Sequence, residues 1–268
     1  MTRLPTTQPD RAARLAAGSS RPRRAPRTAL LLAVAALFAW TTAPVQAADP
    51  LRGRGAPVVT SSVQTSRTRT VDLSSSGTAV TQFTSYWCVP AAVQTMLNII
   101  NGTTDRSYAT QSRLYTELRR ANLYRYPTRG NDVRGWARVL SARLPAGMGY
   151  RDMSFASQST AFAVIADTLD RTRRPVGIVI DAGTHAWTVV GITISESTAP
   201  GGSRSILGFY VVGPLGSPTD PWPKQYVTVA QLASRFTRYH ERTMPVIWEG
   251  RYAIVAPQTT QGSASVTR

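Results

Sequence analysis

The sequence predicts an α+β fold, with a helical half packed on an antiparallel β-sheet. Three observations carry that prediction. Between residues 80 and 257 the apolar residues first recur at helical spacing. They then regroup into short β-branched and aromatic runs separated by Gly, Pro and Ser. Finally, 42% of the 268 residues are hydrophobic against 17% charged, enough to bury a sizeable core.

The helices come first along the chain. Val93, Met96, Leu97 and Ile100 fall at i, i+3, i+4 and i+7, a helical stripe, and Asn101-Gly102 supplies its stop. A second helix is predicted over Thr110 to Ala121, with Leu114 and Leu118 inward. A third starts at Asn131-Asp132 as cap and turns Val133, Trp136, Ala137 and Leu140 to one face. A fourth spans Thr160 to Arg171 on Phe162, Ile165, Ala166 and Leu169. Strands are then predicted at Val176 to Ile180, Trp187 to Ile194, Leu207 to Val212, Val246 to Trp248 and Tyr252 to Val255.

The flanks have a different character. Residues 1–47 read as a signal peptide, with seven arginines ahead of an apolar run from Ala29 to Trp40 and a small-residue cleavage site at Val45-Gln46-Ala47. That run is shorter than the roughly 18 to 20 residues a spanning helix needs. The sequence therefore predicts cleavage, secretion to the cell envelope or medium, and no stable membrane insertion. Residues 48–79, rich in Ser, Thr, Arg and Gly, read as a flexible leader, and residues 258–268 as a disordered tail. The span 80–257 is left as one domain without internal repeats.

Charge and cysteine content narrow the function classes. The net charge is +17, and +11 after removal of residues 1–47. Lys224 is the only lysine, so the positive charge reflects an arginine-rich composition rather than a phosphate-binding surface, and no nucleic-acid partner is expected. Anionic envelope polymers are a partner class compatible with the +11 charge. One cysteine and two histidines exclude a zinc cluster, an iron–sulfur site and an internal disulfide, and no cofactor is expected.

Chemistry is expected where the elements meet. Cys88 opens the first predicted helix, with Pro90 tolerated in its first turn. Unpaired backbone N–H groups and the positive end of the helix dipole there favour the thiolate, which is the nucleophile. Gln82, six residues upstream, can offer its amide to an oxyanion beside the Cys88 N–H. His185 opens a strand and can accept the thiol proton, then return it to a leaving amine. Trp87, Tyr86 and Trp187 are candidates for lining a cleft, and His240 sits in a charged, surface-like stretch.

Gln82, the run Trp87-Cys88-Val89-Pro90-Ala91-Ala92, and His185 ahead of Trp187 and Gly191 together resemble the papain-like cysteine peptidases, in the secreted peptidase C39-like branch. The resemblance covers Val80 to Pro257 and implies a papain-like α+β fold, a peptide or protein substrate, a monomeric enzyme, and hydrolysis of a peptide or amide bond by Cys88 and His185 with Gln82 in the oxyanion hole. Two features depart from the pattern. Val89 stands where glycine commonly follows the cysteine, and Gly213, in Val211-Val212-Gly213-Pro214, stands where an Asp or Asn orients the imidazole. Asp220 is the candidate to replace that acid from the following loop, with Asp181 the weaker one. A relative without turnover, binding peptide or envelope material, is the alternative that Gly213 favours.

Overall fold

The computed structural model describes residues 65–199, 201–217 and 220–258. The predicted signal peptide, the leader up to residue 64 and the tail beyond residue 258 lie outside the described residues. The elements run β1 (Ser66–Asp72), α1 (Cys88–Asn101), α2 (Tyr108–Ala121), α3 (Val133–Ser141), β2 (Tyr150–Phe155), α4 (Gln158–Thr172), β3 (Val176–Ile180), β4 (His185–Ser197), β5 (Arg204–Val212), β6 (Gln225–Thr228), α5 (Val229–Arg235) and β7 (Tyr252–Pro257). The fold is thus α+β. All seven strands join one antiparallel sheet in the order β2-β7-β3-β4-β5-β6, with β1 paired to β4.

Two apolar cores cover the two faces of this sheet. Phe162, Ile165 and Leu169 of α4 and Leu232 of α5 pack on Ile178, Ile180, Val189, Ile192 and Phe209. Val93 and Met96 of α1, Leu114 and Leu118 of α2, and Trp136 and Leu140 of α3 pack with Val179, Ala186 and Val255. Burial on both faces explains why β3 reads as an unbroken apolar run rather than an alternating one. α1 stops where predicted, since Gly102 takes the left-handed conformation at φ 65° and closes the helix onto Asn98. Asp132, not Asn131, caps α3, accepting from the Gly135 N–H at 2.6 Å.

The sheet is larger than the sequence predicts. β1 lies inside the stretch expected to be a flexible leader; its seven residues pair with Gly191 to Ser197 of β4 and bury Val71. β2 and β6 are too polar, and α5 too short, to carry a periodic signal. Conversely, Val246 to Trp248 is a turn, not a strand. Val246 and Trp248 are buried whereas Ile247 is 53% exposed, an alternation that looks like a strand but pairs with nothing in the sheet. Gln258, expected in the tail, is fastened by its N–H to the Gly149 carbonyl at 2.8 Å. No helix among the described residues is long and apolar enough to cross a membrane.

Candidate active site

Cys88 is the first residue of α1, partly buried. The residue before it, Trp87, provides no side-chain cap, no acidic residue occupies the first turn, and Pro90 has no N–H to offer. The amides of Cys88 and Val89 therefore stay available at the positive end of the helix. The segment leading into this helix is held from two sides. The Gln82 N–H donates to the Pro214 carbonyl at 2.7 Å, and the Phe83 N–H donates to Gln111 Oε1 at 2.8 Å. Gln111 is fully buried and also donates to the Thr81 carbonyl at 3.0 Å, so it fixes both neighbours of Gln82. Gln82 itself is half-buried, and its Nε2 donates to the Thr84 carbonyl at 2.7 Å, which occupies one of its two amide hydrogens.

His185 is the first residue of β4, preceded by a turn in which Asp181, Ala182 and Gly183 have φ of 51°, 58° and 89°. Three successive left-handed residues reverse the chain sharply, a conformation costly for aspartate and alanine. It is held from outside. Arg235 grips the Asp181 carboxylate through Nε at 2.8 Å and a terminal nitrogen at 2.6 Å, and the Ala182 N–H donates to Thr237 Oγ1 at 2.7 Å. A side chain at Gly183 would meet the Tyr239 ring at 2.8 Å. Asp181 is thus committed to Arg235 and does not reach His185.

Asp220 does. Its Oδ1 lies 3.3 Å from His185 Nε2, and its side chain is 1% exposed. The same oxygen accepts from Trp187 Nε1 at 2.6 Å, and Oδ2 accepts from the Leu215 N–H at 2.6 Å. Burial pushes the Asp220 carboxyl up, but His185, Leu215 and Trp187 together hold it below the usual carboxylate range. With Nε2 on Asp220, His185 has Nδ1 left, and its other side-chain partner is Cys88. Burial opposes the charged imidazole, yet the bonds to Asp220 and Cys88 outweigh it and raise the His185 pKa to about 9.

The glycine that broke the expected pattern has a spatial explanation. A Cβ on Gly213 would fall 2.3 Å from Asp220 Cγ and Oδ2, so the Asp220 carboxylate occupies the volume a side chain at 213 would need. The Gly213 N–H donates to the Pro221 carbonyl at 2.7 Å, closing the loop that carries Asp220 back to the strand end.

Cys88, His185 and Asp220 are thereby brought together, with Gln82 on the segment that leads into the same helix. Such an arrangement can deliver a thiolate to a carbonyl carbon, receive the developing oxyanion on amide N–H groups, and return a proton to a leaving group. Trp187 and Gln111 are two positioning residues the sequence reading did not single out for these roles. Strand alternation puts residues 185 and 187 on one side, so Trp187 carried a signal; Gln111, a polar residue on a helix far along the chain, carried none. Trp87 and Trp187 are buried, at 5% and 4% exposure, and so pack rather than line a cleft. Tyr86 is half-buried beneath the Arg129 guanidinium, 4.9 Å from its ring centre. His240 is exposed and pairs with Glu249 at 2.7 Å. Among the described residues no cluster of three or more His, Cys, Asp or Glu side chains could hold a metal ion. The chain matches no protein-family model and no curated protein.

Proposed function

We propose that this chain is a secreted thiol peptidase of papain-like, peptidase C39-like type, hydrolysing a peptide or amide bond. The observation that carries the reading is the line Cys88, His185, Asp220, with Nε2 of the imidazole turned to a buried carboxylate and the helix-start thiol as its other partner. In this reading Cys88 attacks the scissile carbonyl. The Cys88 N–H and the second amide hydrogen of Gln82 receive the oxyanion, His185 protonates the leaving amine, and water then releases the acyl group with His185 as base. Asp220 holds the ring in the required tautomer and angle. The basic lead and short apolar run at the amino terminus support export, and the antiparallel sheet with helices on both faces supports the family's fold.

The test is labelling of the secreted protein with a peptidyl acyloxymethyl ketone, read by mass spectrometry. Adduct on Cys88 in the wild type, lost in Cys88→Ala and strongly slowed in His185→Ala, supports the peptidase. Equal labelling of wild type and His185→Ala, with no turnover of a peptide library, favours a peptide-binding module instead.

A further inference from the structure

The left-handed turn ahead of His185 needs support from outside, because Asp181 and Ala182 hold a positive φ that other parts of the chain must offset. One short stretch supplies that support. The Arg235 guanidinium takes both carboxylate oxygens of Asp181, Thr237 Oγ1 accepts from the Ala182 N–H at 2.7 Å, and the His240 N–H donates to the Ala182 carbonyl at 3.1 Å. The stretch is itself anchored. Leu232 and Phe236, on either side of Arg235, are fully buried in the core, and Gln158 at the start of α4 donates to the Ala233 and Phe236 carbonyls at 2.9 and 2.7 Å.

Arg235 differs from Thr237 and His240 in what else it touches. Its guanidinium carbon lies 5.0 Å from the ring centre of Trp187, over the face of the buried indole. That indole N–H is the 2.6 Å donor to Asp220 Oδ1, the oxygen that faces His185 Nε2. Arg235 and Asp220 are also close enough for their charges to attract. One side chain therefore contacts both supports of the imidazole, the turn that delivers its main chain and the tryptophan that aims its carboxylate. The contact set suits arginine and not lysine. A planar guanidinium grips a carboxylate with two N–H groups and lies flat on a ring, whereas an ammonium is a point charge without a fork.

We propose that Arg235 is a positioning residue for the Cys88–His185 pair, acting through Asp181 on the His185 main chain and through Trp187 on the Asp220 carboxylate. The inference rests on the peptidase reading above and adds to it a residue that touches neither substrate nor reacting atoms. Without the grip on Asp181 the turn relaxes from its left-handed conformation. The ring then swings off Asp220 and Cys88, so proton transfer slows while peptide binding is kept.

Three variants of the secreted protein separate the contacts. Arg235→Met keeps an apolar stem on Trp187 and removes the fork, and Arg235→Lys keeps the charge and loses the fork. Asp181→Asn breaks the ion pair from the other end with a residue that tolerates positive φ. The first readout is labelling of Cys88 by a peptidyl acyloxymethyl ketone, which forms a thioether and releases the reagent's carboxylate, resolved into a maximal rate and a half-saturating concentration. The maximal rate is expected to fall about tenfold in each variant with half-saturation little changed. Arg235→Met combined with Asp181→Asn is expected to be no slower than the slower single variant, since both break one contact.

The second readout is a nitrogen NMR titration of His185, which is legible because the chain has two histidines and His240→Gln assigns the other. Cys88 and Asp220 are the titratable groups that face the ring and hold its midpoint at about 9. In the variants the midpoint is expected to drop toward 6.5 as those bonds loosen. Loss of a cation alone would raise it, so the direction separates geometry from charge. Wild-type labelling rates in Arg235→Lys and Asp181→Asn, or a midpoint that stays or rises in them, overturn the role, and these two variants decide if Arg235→Met does not fold. A wild type that labels while its variants label as fast defeats this role alone. Failure of both the ketone and iodoacetamide to label wild-type Cys88 at neutral pH defeats the peptidase reading and this role together.

Discussion

The carboxylate of Asp220 fills the space that a side chain on Gly213 would occupy, 2.3 Å from where its Cβ would stand. An acid on the strand and an acid on the loop are therefore mutually exclusive. Gly213→Asp alone is expected to misfold locally and lose activity, because its Cβ collides with the Asp220 carboxylate. Asp220→Ala is expected to cut turnover by about a hundredfold. The double change Gly213→Asp with Asp220→Gly should recover part of that loss. Turnover of a peptide substrate by the three variants checks it; a fully active Gly213→Asp enzyme would show that the two positions do not compete.

Asp220 also contributes to the fold, because its removal strands two buried donors, the Trp187 indole N–H and the Leu215 amide. Each unpaired group costs about 1–3 kcal/mol. Asp220→Ala should thus lower the melting temperature by several degrees, while Asp220→Asn, which keeps an acceptor, should lower it less. Equal melting temperatures for wild type and Asp220→Ala would contradict the buried geometry.

Trp187→Phe keeps the ring packing and deletes one donor to Asp220. Since that donor helps hold the Asp220 carboxyl low, its loss raises the Asp220 pKa. The acid limb of the kcat/KM profile is then expected to move to higher pH, with KM little changed. A profile superimposable on wild type would mean the 2.6 Å bond has no electrostatic role.

His185 gives the alkaline side. Its pKa lies near 9 against an ordinary 6.5, so the folded state binds this proton more tightly than the unfolded chain. The stabilisation is fully present below about pH 6.5 and is lost as pH rises through 9. Turnover should decline over the same rise, because the imidazolium that protonates the leaving amine disappears. In Asp220→Asn the raising interaction is weakened, and the alkaline limb of turnover should shift to lower pH. Stopped-time assays across pH 6 to 10 with parallel melts check both statements.

Gln82 is tested by separating two kinds of reactivity. Gln82→Ala removes an oxyanion donor and should reduce peptide turnover by about 10²–10³. Alkylation by iodoacetamide, a displacement at a saturated carbon that forms no oxyanion, should change far less. A parallel loss of both would assign Gln82 to holding the helix start.

Much of the molecule was legible because local physics dictated it. The stripe from Val93 to Ile100 and the Gly102 stop fix α1, and the Cys88 position follows from where that helix begins. His185 and Asp220 were nameable as residue types, but their distance depends on a loop closed by Gly213, Leu215 and Pro221, which no periodicity encodes. β1 was hidden because its side chains are mostly exposed Ser, Arg and Thr, so its place in the sheet comes from backbone pairing with β4 and the single buried Val71. The run Val246 to Trp248 misled for the opposite reason, showing a strand's alternation with no partner strand to receive it.

The pairing of β1 with β4 sets a limit on how the chain can be processed. β3 covers His185 to Val189 of β4, and β1 covers Gly191 to Ser197, while β5 pairs along most of the same strand. Cleavage upstream of Thr65 leaves all seven strands in place. A cut within Ser66–Asp72, or a recombinant boundary drawn at residue 80, strips the β1 partners from one side of the Ile192 to Ile194 stretch, leaves β5 on the other, and turns the vacated side into a bare apolar edge. Such an edge is a template for strand addition by another chain, so protein trimmed there should aggregate rather than merely lose activity.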